Sequence, residues 1–179
     1  KQGCLNVHPS LLPEQRGPAP IQNLILGKGE TGVSIIKMDE QMDHGPLVAQ
    51  EKVNIEPWPD HYDVVEEKLA RAGGQLLVKT LSQPLTETPQ DDTQATYNKM
   101  VKKEDGLLDL NADAETNLRK ILAYSTSPEA YFFYKRKDGK EIRVIVKNAK
   151  IENGELKIIS VIPAGKREMV WQDFLRGNA

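Results

Sequence analysis

The sequence contains a single cysteine, three histidines and no long apolar run. One cysteine cannot form an internal disulfide, and Cys4 lies in an apolar segment where a thiol more often packs than reacts. The cysteine and histidines show neither Cys-x-x-Cys nor His-Glu-x-x-His spacing, so no metal site is expected. No segment reaches the roughly 20 apolar residues of a membrane helix, and no basic segment with an apolar core indicates secretion. We therefore expect a cytoplasmic protein.

The composition is that of an ordinary globular protein. The 179 residues are 39% hydrophobic and 28% charged, and the formal net charge is −2. These values are typical of soluble domains. The length is enough for one domain or two small ones, and we find no internal repeat.

The segment 4–13, Cys-Leu-Asn-Val-His-Pro-Ser-Leu-Leu-Pro, holds the most informative polar residues. Because the residue before a proline favours extended geometry, the apolar run is predicted to be a strand that ends near His8. Asn6 and His8 are two positions apart and leave a strand on the same face. An amide donor beside an imidazole suits a carbonyl oxygen that becomes negative during attack on its carbon. The alternative is that Asn6 caps a turn and His8 is an ordinary half-buried histidine.

The same stretch carries a resemblance to a known family. The residues at 6–13, followed by Arg-Gly-Pro-Ala-Pro-Ile-Gln at 16–22, resemble the active-site strand and loop of the folate-dependent formyltransferases, most of all those that act on initiator methionyl-tRNA. The resemblance implies transfer of a formyl group from 10-formyltetrahydrofolate to the α-amine of methionyl-tRNA in translation initiation, by a monomer. The alternatives are a sugar-nucleotide or other small-amine formyltransferase, and an inactive fragment that only binds tRNA.

A third site residue comes from the polar loop 38–46. Family members carry a loop here whose second aspartate completes an Asn/His/Asp set, so the resemblance assigns that role to Asp43, although Gln41 stands where glycine is common. It also implies that Asn6 donates to the oxyanion, that Asp43 raises the pKa of His8 so that the imidazolium stabilises the same charge, and that Asp43 accepts the amine proton. Without the other two residues, Asp43 would be interpreted as part of an Asx turn.

The loop that follows the first strand is expected to contact the folate. By resemblance, the cofactor-binding residues are Ser10, Leu11, Leu12 and Pro13. They would present backbone groups and apolar side chains to the flat pterin. Arg16 is expected either to bind a ligand carboxylate or phosphate or to clamp the loop.

Periodicity and turn residues predict an α/β fold in the first part of the chain. The predicted elements are strands at 4–7, 33–36 and 47–53 and helices at 21–27 and 63–81, the last capped by Asp60. Gly73 and Gly74 inside the long helix predict a close helix–sheet contact. We expect the first strand to be central and parallel, and residues 1–82 to be the C-terminal portion of a Rossmann-like formyltransferase domain that lacks its first half. By itself the chain is therefore expected to turn over little.

The second part of the chain begins after a polar stretch. Residues 83–97 have the composition of a linker. Beyond them, a helix at 112–123 and strands at 130–136, 142–151, 156–162 and 169–171 predict a small antiparallel barrel. The resemblance to the family implies that residues 98–179 form an OB-like domain. Residues 1–97 carry 8 basic and 14 acidic side chains, and residues 98–179 carry 16 and 12. The basic second part is expected to bind tRNA, the alternative being that these are solvated loop charges.

Overall fold

A computed structural model describes residues 3–178 of the chain. The chain forms two compact units, Lys1–Met100 and Val101–Ala179. Each unit combines helices with an antiparallel sheet, so the predicted α/β class is confirmed. Within residues 3–178, no helix is both long and apolar enough to cross a membrane.

The first unit is built on a three-stranded sheet. Its elements are β1 (Leu5–His8), α1 (Pro20–Ile25), β2 (Gly32–Lys37), β3 (Leu47–Lys52) and α2 (Tyr62–Leu81). β2 lies in the middle and pairs antiparallel with β1 and with β3. The predicted hairpin of β2 and β3 is confirmed. The expectation of a central, parallel β1 was wrong within the described residues. The chain returns through α1, so β2 runs antiparallel along one side of β1. No described strand pairs with the other side, which makes β1 an edge strand there.

The long helix α2 packs an apolar stripe against this sheet. Val65, Leu69 and Leu76 are buried at helical spacing, and β2 is buried along residues 32–36. Each fully buried aliphatic side chain of this size contributes roughly 1.5–3 kcal/mol to the free energy of unfolding. The predicted helix cap was wrong, because α2 begins after His61 and the Asp60 carboxylate accepts a hydrogen bond from the His61 N–H at 2.8 Å.

The two adjacent glycines of α2 differ in their surroundings. A Cβ atom built on Gly73 would lie 2.5 Å from Cγ1 of Val7 on β1, whereas a Cβ built on Gly74 would meet nothing within 4 Å. The predicted close contact is therefore confirmed for Gly73 and wrong for Gly74. The approach of α2 to β1 depends on the absence of a side chain at Gly73.

Substitution of these glycines by alanine is expected to change stability in opposite directions. Gly73→Ala overpacks the contact with the stiff Val7 side chain and is expected to lower the free energy of unfolding by about 1–2 kcal/mol. Gly74→Ala is the matched control and is expected to raise it by about 0.5–1 kcal/mol, because alanine is the better helix former. Urea unfolding of both variants measures the difference. Equal effects of the two substitutions would contradict the close approach.

The second unit contains a four-stranded antiparallel sheet. Its elements are α3 (Ala114–Ala123), β4 (Tyr131–Lys135), β5 (Glu141–Glu152), β6 (Glu155–Pro163), β7 (Met169–Val170) and α4 (Trp171–Asn178). The strands pair in the order β4-β5-β6-β7, and within residues 3–178 no ladder joins β7 to β4. Asn153 and Gly154 both have positive φ, as the hairpin between β5 and β6 requires. The terminal α4 was not predicted; its Phe174 is buried and stacks on Trp171 with ring centroids 5.2 Å apart.

The polar segment that follows α2 lies along the first unit. We call residues 83–98 the strap. Thr88 exchanges two backbone hydrogen bonds with Leu47, at 2.8 and 2.9 Å, and the Arg16 N–H donates to the Thr96 carbonyl at 2.9 Å. This segment, which has the composition of a linker, is therefore hydrogen-bonded to the strands and loops of the first unit.

Candidate active site

A cleft of about 420 Å³ opens in the first unit and contains the three residues predicted to be catalytic. Asn6 and His8 reach it from β1, and Asp43 reaches it from the loop between β2 and β3. The lining also includes Tyr62 and Glu66 from the first turns of α2. The structure therefore brings together the amide, the imidazole and the carboxylate that the sequence pattern singled out.

Asn6 presents a free amide to the cleft. It lies on β1 opposite Ile36 and is half-buried. Within residues 3–178, no side chain or backbone group forms a hydrogen bond with this amide. Because an amide carries two N–H donors, Asn6 can donate to an oxygen atom of a molecule in the cleft.

His8 is held by contacts at both ring nitrogens. Its Nε2 lies 3.0 Å from the Gln15 carbonyl oxygen, and its Nδ1 lies 3.5 Å from Oδ1 of Asp43. A carbonyl can only accept, so Nε2 carries a proton and donates. In the neutral ring Nδ1 then carries the lone pair and faces the carboxylate. Protonation at Nδ1 would convert that contact into a charge-assisted hydrogen bond.

The pKa of His8 is lowered, and the expectation that it is raised was wrong. Burial, which leaves His8 only 4% exposed, is the largest effect and lowers the pKa; the Asp43 carboxylate and the Gln15 carbonyl raise it but do not compensate. Burial disfavours the charged form of an imidazole, and a single carboxylate 3.5 Å away offsets only part of that cost. His8 is therefore neutral near pH 7 before a ligand binds.

The Asp43 side chain is fixed by its neighbours. Its Oδ2 accepts a hydrogen bond from the Gly17 N–H at 2.8 Å, and its backbone has a positive φ of 52°. Gln41, which occupies a position where the family commonly has glycine, is not among the described residues with positive φ. The glycine that this loop requires is Gly45, where a Cβ would lie 1.9 Å from the Lys37 carbonyl oxygen.

The loop at residues 10–13, which is predicted to contact folate, forms hydrogen bonds with other residues of the first unit. Ser10 and Leu12 are buried, and Ser34 donates from Oγ to the Ser10 carbonyl at 2.6 Å and accepts from the Leu12 N–H at 3.0 Å. Residues 10–13 do not line the cleft described above. Leu11 and Pro13, the other two residues of the loop, are half-buried. Contact between this loop and folate therefore stays a prediction.

Arg16 clamps the strap and does not line the cleft. Its side chain is 1% exposed, and it donates to Gln90 Oε1 at 3.1 and 2.8 Å, to Asp92 Oδ1 at 2.8 Å and to the Tyr97 hydroxyl at 3.1 Å. Of the two interpretations left open by the sequence, the structure supports the clamp. A buried guanidinium requires such partners, since burying an unpaired charge is costly.

Two groups that bear on the site were not anticipated from the sequence: Gln90, which lies outside the cleft lining, and Tyr62, which is part of it. Gln90 of the strap donates from Nε2 to the carbonyl oxygens of Asp43 and Gly45, at 2.9 and 2.7 Å. Tyr62 donates to Glu66 at 2.8 Å, and burial together with that carboxylate raises the pKa of Tyr62 to about 12. The Tyr62 hydroxyl therefore keeps its proton near neutral pH, donates it to Glu66 and does not act as a base. The linker-like composition of the strap gave no signal for Gln90.

His44, the neighbour of Asp43, has the opposite electrostatic environment to His8. Its Nδ1 lies 2.6 Å from Oδ2 of Asp39, and this hydrogen bond raises the pKa of His44. Within residues 3–178, no three His, Cys, Asp or Glu side chains are grouped as metal ligands. His44 therefore belongs to a surface ion pair of the Asp43 loop.

The two histidines are expected to titrate on opposite sides of the ordinary value of 6.5. His8 should titrate below it because of burial, and His44 above it because of Asp39. Proton–carbon NMR titration of the ring Cε1–H signals measures both pKa values, and Asp39→Asn should lower only that of His44. A His8 pKa above 6.5 would contradict the burial argument.

Comparison with known proteins gives the same family that the motif resembles. The family described as "Formyl transferase" matches residues 1–81. The methionyl-tRNA formyltransferase of Bacillus licheniformis is 35% identical over 202 aligned positions, which cover 99% of this chain and 64% of that protein. The aligned chain thus spans 64% of the length of that relative, and it spans 46% of the length of a second curated methionyl-tRNA formyltransferase.

Solved structures also match. The methionyl-tRNA formyltransferase of Clostridium thermocellum superposes with a TM-score of 0.73 at 21% identity, over 90% of this chain and 68% of that one, and shows the shared fold. A likely sugar N-formyltransferase of Mycobacterium tuberculosis superposes with a TM-score of 0.65 at 27% identity, over 83% of this chain and 66% of that one. The segment that matches the formyl transferase family, residues 1–81, contains the whole Asn6, His8 and Asp43 constellation.

Proposed function

We propose that this protein transfers a formyl group from 10-formyltetrahydrofolate to the α-amine of methionyl-initiator tRNA. The observation that carries the proposal is the free Asn6 amide in the same cleft as the coupled pair of His8 and Asp43. The resemblance of the 6–13 motif to folate-dependent enzymes supports the donor. The similarity to a methionyl-tRNA formyltransferase over almost the whole chain supports the acceptor.

In the proposed reaction, the acceptor amine attacks the formyl carbon and the formyl oxygen becomes negative. A C–N bond to methionine forms, the C–N bond to N10 of the folate breaks, one proton leaves the amine, and one proton reaches N10. Asn6 donates to the developing oxyanion, which is worth about 3 kcal/mol if it acts as other oxyanion donors do. The amide needs no rearrangement, because it has no other partner within residues 3–178.

The pair of His8 and Asp43 receives the proton that the amine loses. Asp43 faces the cleft and accepts it directly or through water. When that proton passes on to Nδ1 of His8, the imidazolium donates to the Gln15 carbonyl and to the Asp43 carboxylate at once. Because His8 is neutral before a ligand binds, its imidazole can accept a proton.

The two units suggest a division of labour. We assign residues 1–82 to the C-terminal portion of a Rossmann-like catalytic domain, with residues 10–13 near the folate, and residues 98–179 to an OB-like domain that contacts the tRNA backbone through its excess of basic side chains. The protein acts in the cytoplasm as a monomer. These assignments rest on the resemblance and on the charge of each part.

The acceptor is tested by following labelled formyl groups. The protein expressed from its complete reading frame is incubated with radiolabelled 10-formyltetrahydrofolate and either charged initiator tRNA or an amino-sugar nucleotide. Label on methionyl-tRNA alone is expected. Label on the sugar alone would favour the second candidate, a sugar-nucleotide formyltransferase. The similarity to the likely sugar N-formyltransferase supports that candidate.

A further inference from the structure

The strap grips the Asp43 loop through one amide side chain. Gln90 donates from Nε2 to the carbonyl oxygens of Asp43 and Gly45, at 2.9 and 2.7 Å. Its Oε1 accepts from Nε and Nη2 of Arg16, at 3.1 and 2.8 Å. All four hydrogen-bonding positions of the amide are therefore occupied. Such a side chain can have only one orientation.

The loop needs an external hold at this point. Asp43 has a left-handed backbone, with φ of 52°, which costs a non-glycine residue free energy unless its surroundings impose it. The neighbouring Met42 is 68% exposed, so apolar packing does not anchor the loop there. Gln90 bonds the carbonyl of the strained residue itself and the carbonyl of Gly45, two residues further on. They oppose any rotation of its backbone that would turn the carboxylate away from His8.

Arg16 fixes Gln90 in turn. The guanidinium is buried and is itself held by Asp92 and by the Tyr97 hydroxyl, both from the strap. Gly17, the residue after Arg16, donates its N–H to Oδ2 of Asp43 at 2.8 Å. The two residues Arg16 and Gly17 therefore orient both groups. The Arg16 side chain orients Gln90, and the Gly17 backbone amide orients the Asp43 carboxylate.

We propose that Gln90 is a positioning residue for the cleft: it holds the backbone of Asp43 so that the carboxylate faces His8 and the Gly17 amide. The strap, which belongs to the first unit, thus helps to build the site of that unit. This consequence for catalysis rests on the function proposed above, but the positioning itself does not. Gln90 lies outside the lining of the cleft and acts through Asp43.

The test replaces Gln90 by methionine, which has a similar length and forms none of the four hydrogen bonds. Two readouts report on the position of Asp43 without any formyl transfer. The pKa of His8, measured by NMR, should fall by at least half of the fall caused by Asp43→Asn, since the carboxylate raises that pKa. The Gly17 N–H should exchange with deuterium about tenfold faster, because it loses its acceptor.

The matched control is Gln94→Met, in the same strap. Gln94 is exposed and, among the described residues 3–178, its side chain bonds only the Thr93 hydroxyl, so both readouts should equal those of the unchanged protein. Gln90→Glu is the second variant: it keeps the acceptor for Arg16 and removes both donors to the loop. If Gln90→Met unfolds, Gly17 exchange in Gln90→Glu decides, and faster exchange is expected there too.

Unchanged Gly17 exchange in a folded Gln90 variant, or an equal change in Gln94→Met, would overturn the proposal. In the protein from the complete reading frame, Gln90→Met should lower kcat and shift its pH profile while leaving the KM for tRNA unchanged. Should the protein transfer no formyl group at all, the proposed function fails, whereas the NMR and exchange results still decide the role of Gln90.

Discussion

Asn6→Ala is expected to lower the rate of formyl transfer by about 10²–10³-fold, which is the usual effect of removing one oxyanion donor. The free energy of unfolding should hardly change, because the Asn6 amide has no hydrogen-bond partner within residues 3–178. A large loss of rate without a loss of stability separates a catalytic donor from a structural amide. Single-turnover transfer from labelled 10-formyltetrahydrofolate, together with thermal unfolding, measures the two quantities.

The control for this substitution is Asn54→Ala. Asn54 lies in the same unit, is exposed, and donates only to Glu56 at 2.9 Å. Its replacement should change neither rate nor stability appreciably. If Asn6→Ala retained more than about half of the rate under single-turnover conditions, Asn6 would not be the oxyanion donor and the proposed mechanism would lose its central interaction.

Ser34→Ala is expected to lower the free energy of unfolding by about 2–4 kcal/mol. The Ser34 hydroxyl is fully buried, accepts from the Leu12 N–H and donates to the Ser10 carbonyl, and its removal leaves both backbone groups without a partner. An unsatisfied buried polar group costs roughly 1–3 kcal/mol. Gln50 Nε2 also donates to the Ser34 hydroxyl, so it loses that acceptor and keeps its hydrogen bond to the Leu12 carbonyl.

Urea unfolding measures this loss, and the slope of the unfolding free energy against urea concentration should stay unchanged. The matched control is Ser82→Ala, where the hydroxyl is exposed and donates to the Lys79 carbonyl at the end of α2, and a change within about 0.5 kcal/mol is expected. Amide exchange of residues 10–12 and 14 should also rise in Ser34→Ala. An equally small effect at both serines would mean that water replaces the buried hydroxyl and that the loop is not held by it.

The elements of the fold were largely predictable from local patterns. The strand that ends at His8, the β2–β3 hairpin, the long α2 and the strands β4 to β6 follow from apolar spacing and from turn residues such as Asn153-Gly154. These signals act over a few residues, so a sequence contains them directly. The short α4 was missed because its stability depends on the packing of Phe174 against Tyr134 and of Trp171 against Phe132, and only the folded sheet brings these β4 side chains to the helix.

The candidate site was predictable in its members and not in its electrostatics. Asn6 and His8 share a face because they are two residues apart on a strand, and the family motif added Asp43. The direction of the His8 pKa depends on how deeply the ring is buried, which is set by packing from the whole unit. Sequence spacing shows which charges are near but not how much water has been removed.

The sequence by itself determined the order of the strands and of the first three α-helices, the Asn6, His8 and Asp43 set, and the contrast in charge between the two parts of the chain. Only the tertiary structure decided that β1 pairs antiparallel with β2, that Arg16 is a buried clamp, and that Gln90 from a linker-like segment bonds the Asp43 loop. Local patterns are set by the covalent geometry of neighbouring residues. Contacts such as that between Gln90 and Asp43 join residues 47 positions apart, and only chain folding brings them within hydrogen-bonding distance.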